Sequence, residues 1–244
     1  SWTDRLDNIS LTVSAGEVVG LGGLDGQGQR ELLLAFFGVL RGLSGQILID
    51  GRPVAISSPA AARDDRIGMA LIPEDRKTEG LMLPMTVREN LSFAALDRLS
   101  RAGIIDRAAE QRLIDDMVAL LAIKTAGLDI PVGALSGGNQ QKVVIAKWLA
   151  TRPRVLLLDE PTRGIDVGAK ADVFRTMRKL SRDGLGILFA TSDLDEVMAL
   201  SDRIAVMSNG KLTGMFDRAE ATEAALVAAS ALGHGPVPHT ENRP

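Results

Sequence analysis

The chain has 244 residues, 45% of them hydrophobic, and a formal net charge of −3 at pH 7. The near balance of acids and bases excludes the basic footprint of a dedicated nucleic-acid binder, and the lack of cysteine excludes disulfides and thiolate metal sites. Because no run approaches the roughly 18 uninterrupted apolar residues of a membrane helix, we expect any membrane role to depend on partner proteins.

The start of the chain predicts an edge strand. Apolar residues recur at Leu6, Ile9, Leu11 and Val13, and we interpret them as a strand whose first residues are missing, in a chain truncated from a longer one. Such opening strands would pair antiparallel in a small sheet at one edge. At the other end, residues 233–244 carry three prolines and few apolar side chains, which predicts a disordered tail.

Strand and helix patterns alternate along the rest of the chain. Apolar runs predict strands at 18–21, 47–49, 67–73, 155–158, 186–191 and 203–207. Helical spacing predicts helices at 31–37, 166–182 and 193–200, and a mainly helical block at 87–150. Strands that alternate with helices imply a mainly parallel sheet covered on both faces, with the helical block as an insertion.

A glycine-rich turn follows the first long strand and opens a predicted helix. It runs from Gly23 to Arg30, and the phosphate-loop pattern that it approaches is G-x-x-x-x-G-K-[ST]. Backbone N–H groups in such a turn can surround an anion at a helix N-terminus. We therefore predict that nucleotide phosphates bind at Gly23, Gly26, Gln27, Gly28, Gln29, Arg30 and Glu31.

Two positions of this turn depart from the pattern. Gln29 stands in place of the lysine, and a neutral donor contributes about 1 kcal/mol where a charged one contributes roughly 1.5–3 kcal/mol. We therefore expect a weaker grip on the β- and γ-phosphates. Arg30 stands in place of the hydroxyl that would hold Mg²⁺, and it cannot ligate a metal. It would restore some positive charge, or pair with Asp159 or Glu160.

Two acids follow the apolar strand at 155–158. We predict that Asp159 touches Mg²⁺, directly or through water, and that Glu160 polarises an attacking water, as carboxylates of phosphoryl-transfer sites do. Farther along, Asp166 precedes a predicted helix and is suited to cap it.

A second glycine-rich turn, Leu135-Ser136-Gly137-Gly138-Asn139-Gln140-Gln141-Lys142, opens another predicted helix. A helix N-terminus presents unpaired N–H groups and a partial positive charge, which suits a phosphate. We predict nucleotide binding at Ser136, Gly137, Gly138 and Gln140.

These motifs occur together with the segment Pro73-Glu74-Asp75-Arg76-Lys77. The combination resembles the ATP-binding cassette (ABC) ATPases, in particular the second cassette of tandem bacterial sugar-import ATPases for ribose, galactose, xylose and similar monosaccharides or polyols. The resemblance covers about residues 6–216. It implies an α/β fold of the P-loop NTPase class with a mainly parallel sheet and a small antiparallel β subdomain at one edge. A helical signature subdomain at about 84–150 would be inserted in one nucleotide-binding domain, 1–232.

The resemblance also implies a mechanism and partners. ABC cassettes pair head to tail, and each nucleotide lies between one phosphate loop and the other cassette's signature turn, so Asp166 would lie at that interface, cap its helix, or both. ATP and Mg²⁺ would be the cofactors. The partners would be a first cassette, membrane permease subunits and, indirectly, a sugar-binding protein, at the cytoplasmic face of a bacterial membrane. This half would mainly donate its signature and hydrolyse ATP slowly by itself.

Two further positions depart from the family. Ser192 stands where a histidine usually contacts the γ-phosphate, and we predict that it acts with Glu160 in catalysis. Glu74 stands where a glutamine usually ends the strand before the helical block, and we place it at the metal with Asp159.

Several alternatives bear on this interpretation. A dinucleotide fingerprint, G-x-G-x-x-G, is disfavoured because its third glycine falls on Asp25 or Glu31. A nucleoside importer shares much of the signature and stays open. A soluble ABC ATPase of DNA repair or translation would carry coiled-coil insertions or basic stretches, which the sequence lacks, and a non-hydrolytic binding module would differ only in whether the two strand-end acids work. Trp2 either stacks on adenine or is buried or frayed, and His234 and His239 are predicted to be exposed and idle.

Overall fold

The computed structural model describes residues 6–232. Trp2, His234, His239 and the predicted tail lie outside the described residues. The strands are β1 (Val18–Gly22), β2 (Ile47–Ile49), β3 (Arg52–Val54), β4 (Met69–Ile72), β5 (Ser100–Arg101), β6 (Ile104–Ile105), β7 (Val155–Asp159), β8 (Gly186–Ala190), β9 (Arg203–Ser208) and β10 (Lys211–Asp217). The helices are α1 (Gln29–Phe36), α2 (Pro59–Ala62), α3 (Val87–Phe93), α4 (Leu96–Leu99), α5 (Arg107–Leu121), α6 (Gly137–Leu149), α7 (Val167–Arg182), α8 (Leu194–Leu200) and α9 (Glu223–Ala231).

The central sheet has six strands in the order β10-β9-β1-β8-β7-β4. Neighbours are parallel except β10, which pairs antiparallel with β9. Successive residues of β1 serve opposite faces, since Val18 packs in the core shared with α6 and α7, and Val19 in the core shared with α1. The predicted α/β class, with a mainly parallel sheet covered on both faces, is confirmed.

The helical block predicted at 87–150 contains α3, α4, α5 and α6. Its buried side chains, such as Ile114, belong to the same cluster as Leu158 of the sheet, so the block and the sheet share one core. The two-stranded ribbon β5–β6 interrupts the block, where Ala102 and Gly103 both have positive φ and form a tight turn. The helical prediction is wrong at this ribbon.

The predicted opening strand is wrong, because within the described residues the segment 6–13 forms no strand. Leu6, Ile9, Leu11 and Val13 are partly buried against the same core as α1, so their spacing reflects the burial of an irregular segment. Antiparallel pairing comes instead from the hairpins β2–β3, β5–β6 and β9–β10. Strand β10 and helix α9 lie where no element was predicted.

The loops after four parallel strands meet at one edge of the sheet. Strands β1, β8, β7 and β4 are consecutive in the sheet and run in the same direction. Their carboxyl ends therefore bring together four segments: the glycine-rich turn, the segment after β4, the strand-end acids and the loop after β8. The carboxyl edge of a parallel sheet is where ligands bind in open α/β folds. Among residues 6–232, no helix combines the length and apolar character that crossing a membrane requires.

Candidate functional site

A cleft of about 580 Å³ lies at this carboxyl edge. It is lined by the glycine-rich turn after β1 and by the loops after β4, β7 and β8. The predicted site residues in its lining are Gly26, Gln29, Arg30, Glu31, Glu74, Asp159, Glu160 and Ser192. The fold therefore brings the phosphate-loop turn and the strand-end acids together, as the sequence analysis expected.

The glycine-rich turn after β1 is filled by one of its own side chains. The amide of Gln29 donates from Nε2 to the carbonyl oxygen of Leu24 at 3.0 Å, and its Oε1 accepts from the N–H of Gln27 at 3.1 Å. The Gln29 side chain is buried. It closes the turn from within and occupies an N–H group that would otherwise be available to a phosphate.

Three predicted phosphate-loop residues, Gly23, Gln27 and Gly28, face the β9–β10 hairpin. The Oε1 atom of Gln27 accepts from the N–H of Asn209 at 2.8 Å. A Cβ atom on Gly23 would lie 2.4 Å from the carbonyl oxygen of Met207, and one on Gly28, which has φ 111°, would lie 3.1 Å from Gly210 Cα in the turn of the hairpin. None of the three lines the cleft. This arrangement gives no support to their predicted contact with phosphate and assigns them to packing.

Arg30 lies at the centre of the acidic part of the cleft. Its Nη1 donates to Glu74 Oε2 at 2.6 Å and to Asp159 Oδ2 at 2.8 Å, and its Nη2 lies 3.2 Å from Glu79 Oε1. Arg163 forms a second ion pair with Glu74. One of the two partners predicted for Arg30 is therefore found.

The carboxyl of Asp159 is buried, with 8% of its side chain exposed. Burial raises its pKa from 3.8 to about 6, while the positive charge of Arg30 opposes the rise and the negative charges of Glu160 and Glu79 add to it. Desolvation disfavours the charged form of an acid. The guanidinium is therefore the main group that keeps this carboxylate ionised near neutral pH.

These contacts do not fit the predicted Mg²⁺ site. Mg²⁺ requires oxygen ligands at about 2.0–2.1 Å in octahedral geometry, whereas Asp159 and Glu74 each direct an oxygen to Nη1 of Arg30. Within residues 6–232, no group of three or more His, Cys, Asp or Glu side chains is arranged to hold a metal ion. The prediction that Asp159 and Glu74 are metal ligands is not supported, because a guanidinium lies where the cation would.

Glu160 follows Asp159 in a left-handed backbone conformation, with φ 44°. Its Oε1 accepts from the N–H of Ser192 at 2.6 Å, and its Oε2 accepts from the hydroxyl of Thr191 at 3.2 Å. Each oxygen accepts one hydrogen bond, which orients the carboxylate, and each keeps a second lone pair that can accept from a water. Ser192 contributes its backbone N–H to this contact, whereas the prediction relied on its hydroxyl.

A buried hydrogen-bond network beside Glu160 was not predicted. Glu196 accepts from Thr162 Oγ1 at 2.5 Å, from Lys170 Nζ at 2.6 Å and from Thr191 Oγ1 at 3.2 Å. The hydrogen bond to Glu196 raises the pKa of Lys170. The network ties the loop after β7 to the loop after β8, and no spacing in the sequence indicates that these groups meet.

The second glycine-rich turn does not line the cleft, although its Gly137 packs near Gly164 in the cleft wall. Helix α6 begins at Gly137, and the side chain of Ser136 at its N-cap does not cap it. The Ser136 hydroxyl accepts instead from Asn139 Nδ2 at 2.9 Å. Because the first N–H groups of a helix have no partner within it and Ser136 is exposed, this helix end is open to an anion from outside the chain.

The glycines of this turn allow close packing against α7 and against the segment after β4. A Cβ atom on Gly138 would lie 2.5 Å from Ala169 Cβ, and one on Gly137 would lie 3.0 Å from Arg76 Nη2. Arg76 in turn donates to the carbonyl oxygens of residues 163 and 164. Asp166 accepts from the N–H of Ala169 at 3.0 Å, which confirms its capping role for α7.

Gln140 was predicted to bind nucleotide, but its side chain faces inward. It is buried, and its Nε2 donates to the carbonyl oxygens of Leu135 at 3.0 Å and Gly133 at 3.3 Å. In this position the amide braces the turn that precedes α6. Its predicted contact with nucleotide has no support in this arrangement.

The fold and the cleft define a nucleotide-binding cassette. The family model described as ABC transporter matches residues 6–163, and the chain belongs to this family. The solved structure of cbiO1 from Clostridium perfringens, part of an ABC transporter complex, is 26% identical, with a TM-score of 0.74 over 88% of this chain and 82% of that chain. A nucleotide-free ATP-binding cassette from an ABC transporter gives a TM-score of 0.78 at 23% identity, over 92% of this chain and 89% of that one. The cassette fold is confirmed.

The chain is also similar to proteins that are named for ribose import. Ribose import ATP-binding proteins of Mesorhizobium japonicum, Rhizobium johnstonii and Chromobacterium violaceum are 74%, 60% and 43% identical over 96%, 94% and 98% of this chain. The matches cover 46%, 45% and 47% of those proteins. The chain is therefore homologous to sugar-import ABC ATPases and spans about half the length of the relatives it matches.

Proposed function

We propose that this chain is the second cassette of a tandem import ATPase for ribose or a similar monosaccharide or polyol. Its main task would be to present the signature turn, 135–141, to a nucleotide held by the first cassette. The observation that carries this proposal is the contrast between its two glycine-rich turns. Neither helix has a side-chain cap, but Ser136 before α6 is exposed, whereas the turn before α1 is filled by Gln29, which bonds one of its N–H groups, and is bounded by Arg30.

The relatives support the tandem arrangement and the cargo. This chain matches less than half the length of the ribose import proteins, which leaves room for a first cassette of similar size. Their names refer to ribose import, which favours a sugar over a nucleoside as the transported molecule. The natural partners are then permease subunits in a bacterial membrane, with the cassette attached at the cytoplasmic face, and a sugar-binding protein that acts on the permease.

The contribution of this chain to catalysis follows from the open end of α6. The Ser136 hydroxyl and the N–H groups of Gly137 and Gly138 would bind the γ-phosphate of ATP on the partner cassette, where negative charge develops during transfer. Mg²⁺ would accompany that ATP and neutralise part of its charge. Closing the two cassettes on the nucleotide would move the permease.

Hydrolysis in the cleft of this chain would be slow. The lysine is replaced by Gln29, whose amide is already bonded within the turn, so the phosphates would lack a charged donor at this position. Binding of ATP there would therefore be weak, and the energy for transport would come mainly from the partner's site.

The test is ATP turnover by the paired cassettes with their permease. Ser136→Ala is expected to lower turnover about tenfold or more, because it removes one preorganised donor to the transferred phosphate, and Ser10→Ala, an exposed serine away from the site, serves as the matched control. Equal turnover for both variants would contradict the proposal. Rapid hydrolysis by this chain alone, abolished by Glu160→Gln, would also contradict it.

A further inference from the structure

We propose that the guanidinium of Arg30 takes the place of the divalent cation in the cleft of this chain, so that this half-site binds nucleotide without a metal ion. The inference rests on the proposed function to the extent that the cleft accepts a nucleotide. It concerns the chain's own half-site and not the signature turn.

The position of Arg30 in the chain is the first argument. Arg30 is the second residue of α1 and stands where the phosphate-loop pattern has the hydroxyl that holds Mg²⁺. From there its Nη1 reaches Glu74, which follows β4, and Asp159, which ends β7. Arg30 thus stands in place of the hydroxyl ligand of the metal ion. It also donates hydrogen bonds to the two carboxylates that were predicted to be the other ligands.

The geometry of the acids is the second argument. Both carboxylates point to a single nitrogen, at 2.6 and 2.8 Å, and Glu79 adds an ion pair at 3.2 Å. A cation between the acids would have to displace the guanidinium from all three carboxylates. It would also bring two cations together beside a carboxylate that is 8% exposed, so metal and guanidinium exclude each other.

The chemistry of arginine is the third argument. A guanidinium is always charged, presents donors in a planar fork and matches phosphate oxygens two at a time. The Arg30 side chain is 36% exposed and lines the cleft, so it can be reached by a polyphosphate. The other basic residues in the lining, Arg163 and Lys170, also pair with carboxylates, and we therefore expect modest affinity.

The experiment measures binding of the fluorescent nucleotide mant-ATP to the chain, in excess Mg²⁺ and in EDTA. The two dissociation constants of the unmodified chain are expected to agree within about threefold, whereas Arg30→Thr, which restores the hydroxyl of the pattern, is expected to bind about tenfold or more tightly with Mg²⁺ than with EDTA. Electron paramagnetic resonance with Mn²⁺ gives a second readout. Nucleotide-dependent binding of Mn²⁺ is expected for Arg30→Thr and not for the unmodified chain.

Two further variants keep the test decisive. Arg30→Lys retains a cation and is expected to stay independent of Mg²⁺ even if Arg30→Thr folds poorly. Arg66→Thr, which removes an exposed arginine paired with Asp64, is the matched control and should behave as the unmodified chain.

A requirement of the unmodified chain for Mg²⁺, or nucleotide-dependent binding of Mn²⁺ to it, would overturn the inference. Failure of mant-ATP to bind at all would overturn it as well. None of these results would bear on the proposed role of the signature turn, which is measured by ATP turnover on the partner cassette.

Discussion

The two glycine-rich turns of this chain look alike in sequence and differ in the fold. Both join a loop to a helix N-terminus, neither α1 nor α6 has a side-chain cap, and each turn is braced by a glutamine of the helix that it opens. The difference lies in the groups that the glutamine bonds. Gln29 accepts from the N–H of Gln27 and so occupies an N–H group of the turn before α1, whereas Gln140 donates only to the carbonyl oxygens of residues 133 and 135.

The comparison teaches that a phosphate-binding turn is defined by what its N–H groups do, beyond where its glycines stand. In the first turn three carboxylates hold Arg30, and the glycines pack on the β9–β10 hairpin. In the second turn the glycines allow α6 to approach Arg76 and α7, and the helix end remains exposed. The following predictions would break or sharpen this contrast.

The largest effect is expected from charge placed in the open turn. Gly137→Asp should lower turnover of the paired cassettes about a hundredfold or more, because a carboxylate would face the phosphate that the helix end is suited to bind. Gly26→Asp in the closed turn should cost about threefold. Gly127→Asp, at a glycine with open space around its Cβ position, controls for the change of charge. Equal losses of ATP turnover for Gly26→Asp and Gly137→Asp would contradict the proposed difference between the two turns.

The second effect is a pH dependence of stability from Asp159. Its pKa is raised in the fold from 3.8 to about 6, so the folded state binds more protons in this window and the group lowers the free energy of unfolding as pH rises. Relative to the unmodified chain, Asp159→Asn should therefore gain about 2–3 kcal/mol between pH 4 and pH 6. Urea unfolding at several pH values measures this, and parallel curves for the two proteins would contradict it.

The third effect is the loss of the Arg30 guanidinium, which pairs with the carboxylates of the cleft. Arg30→Gln should lower the free energy of unfolding by about 2 kcal/mol at neutral pH, because it leaves the buried Asp159 without its cation. The loss should shrink below pH 5, where Asp159 is protonated. Arg66→Gln, which breaks an exposed pair with Asp64, should change stability by less than about 0.5 kcal/mol. An equal change in both variants would mean that Arg30 is an ordinary surface charge.

The smallest effect concerns the far wall of the cleft. Thr191→Val should cost about 1 kcal/mol in unfolding free energy, because the hydroxyl of Thr191 lies 3.2 Å from an oxygen of both Glu160 and Glu196 and donates its single proton to one of them at a time. Ser192→Ala should cost less than about 0.5 kcal/mol, since Ser192 meets Glu160 through its backbone N–H. A larger loss of unfolding free energy for Ser192→Ala would mean that the hydroxyl of Ser192 also makes a stabilising contact in the cleft.

Much of the architecture was readable from local patterns. Six of the strands and the helices at 29–36, 167–182 and 194–200 follow from apolar periodicity, and the turn at Asn209-Gly210 is a hairpin signal that would have revealed β10. The strand prediction was wrong for the opening segment, because an irregular segment that packs on the core can show the same spacing of apolar residues, from Leu6 to Val13, as a strand.

The sequence by itself determined the family, the sheet with its covering helices and eight of the residues that line the cleft, since these depend on local spacing and on glycine at fixed turns. Only the tertiary structure decided what those residues do. Arg30 comes after β1, Glu74 after β4 and Asp159 at the end of β7, and they meet because the strand order places these ends at one edge. Ion pairs between side chains so distant along the chain depend on the packing of the whole sheet, which no local pattern encodes.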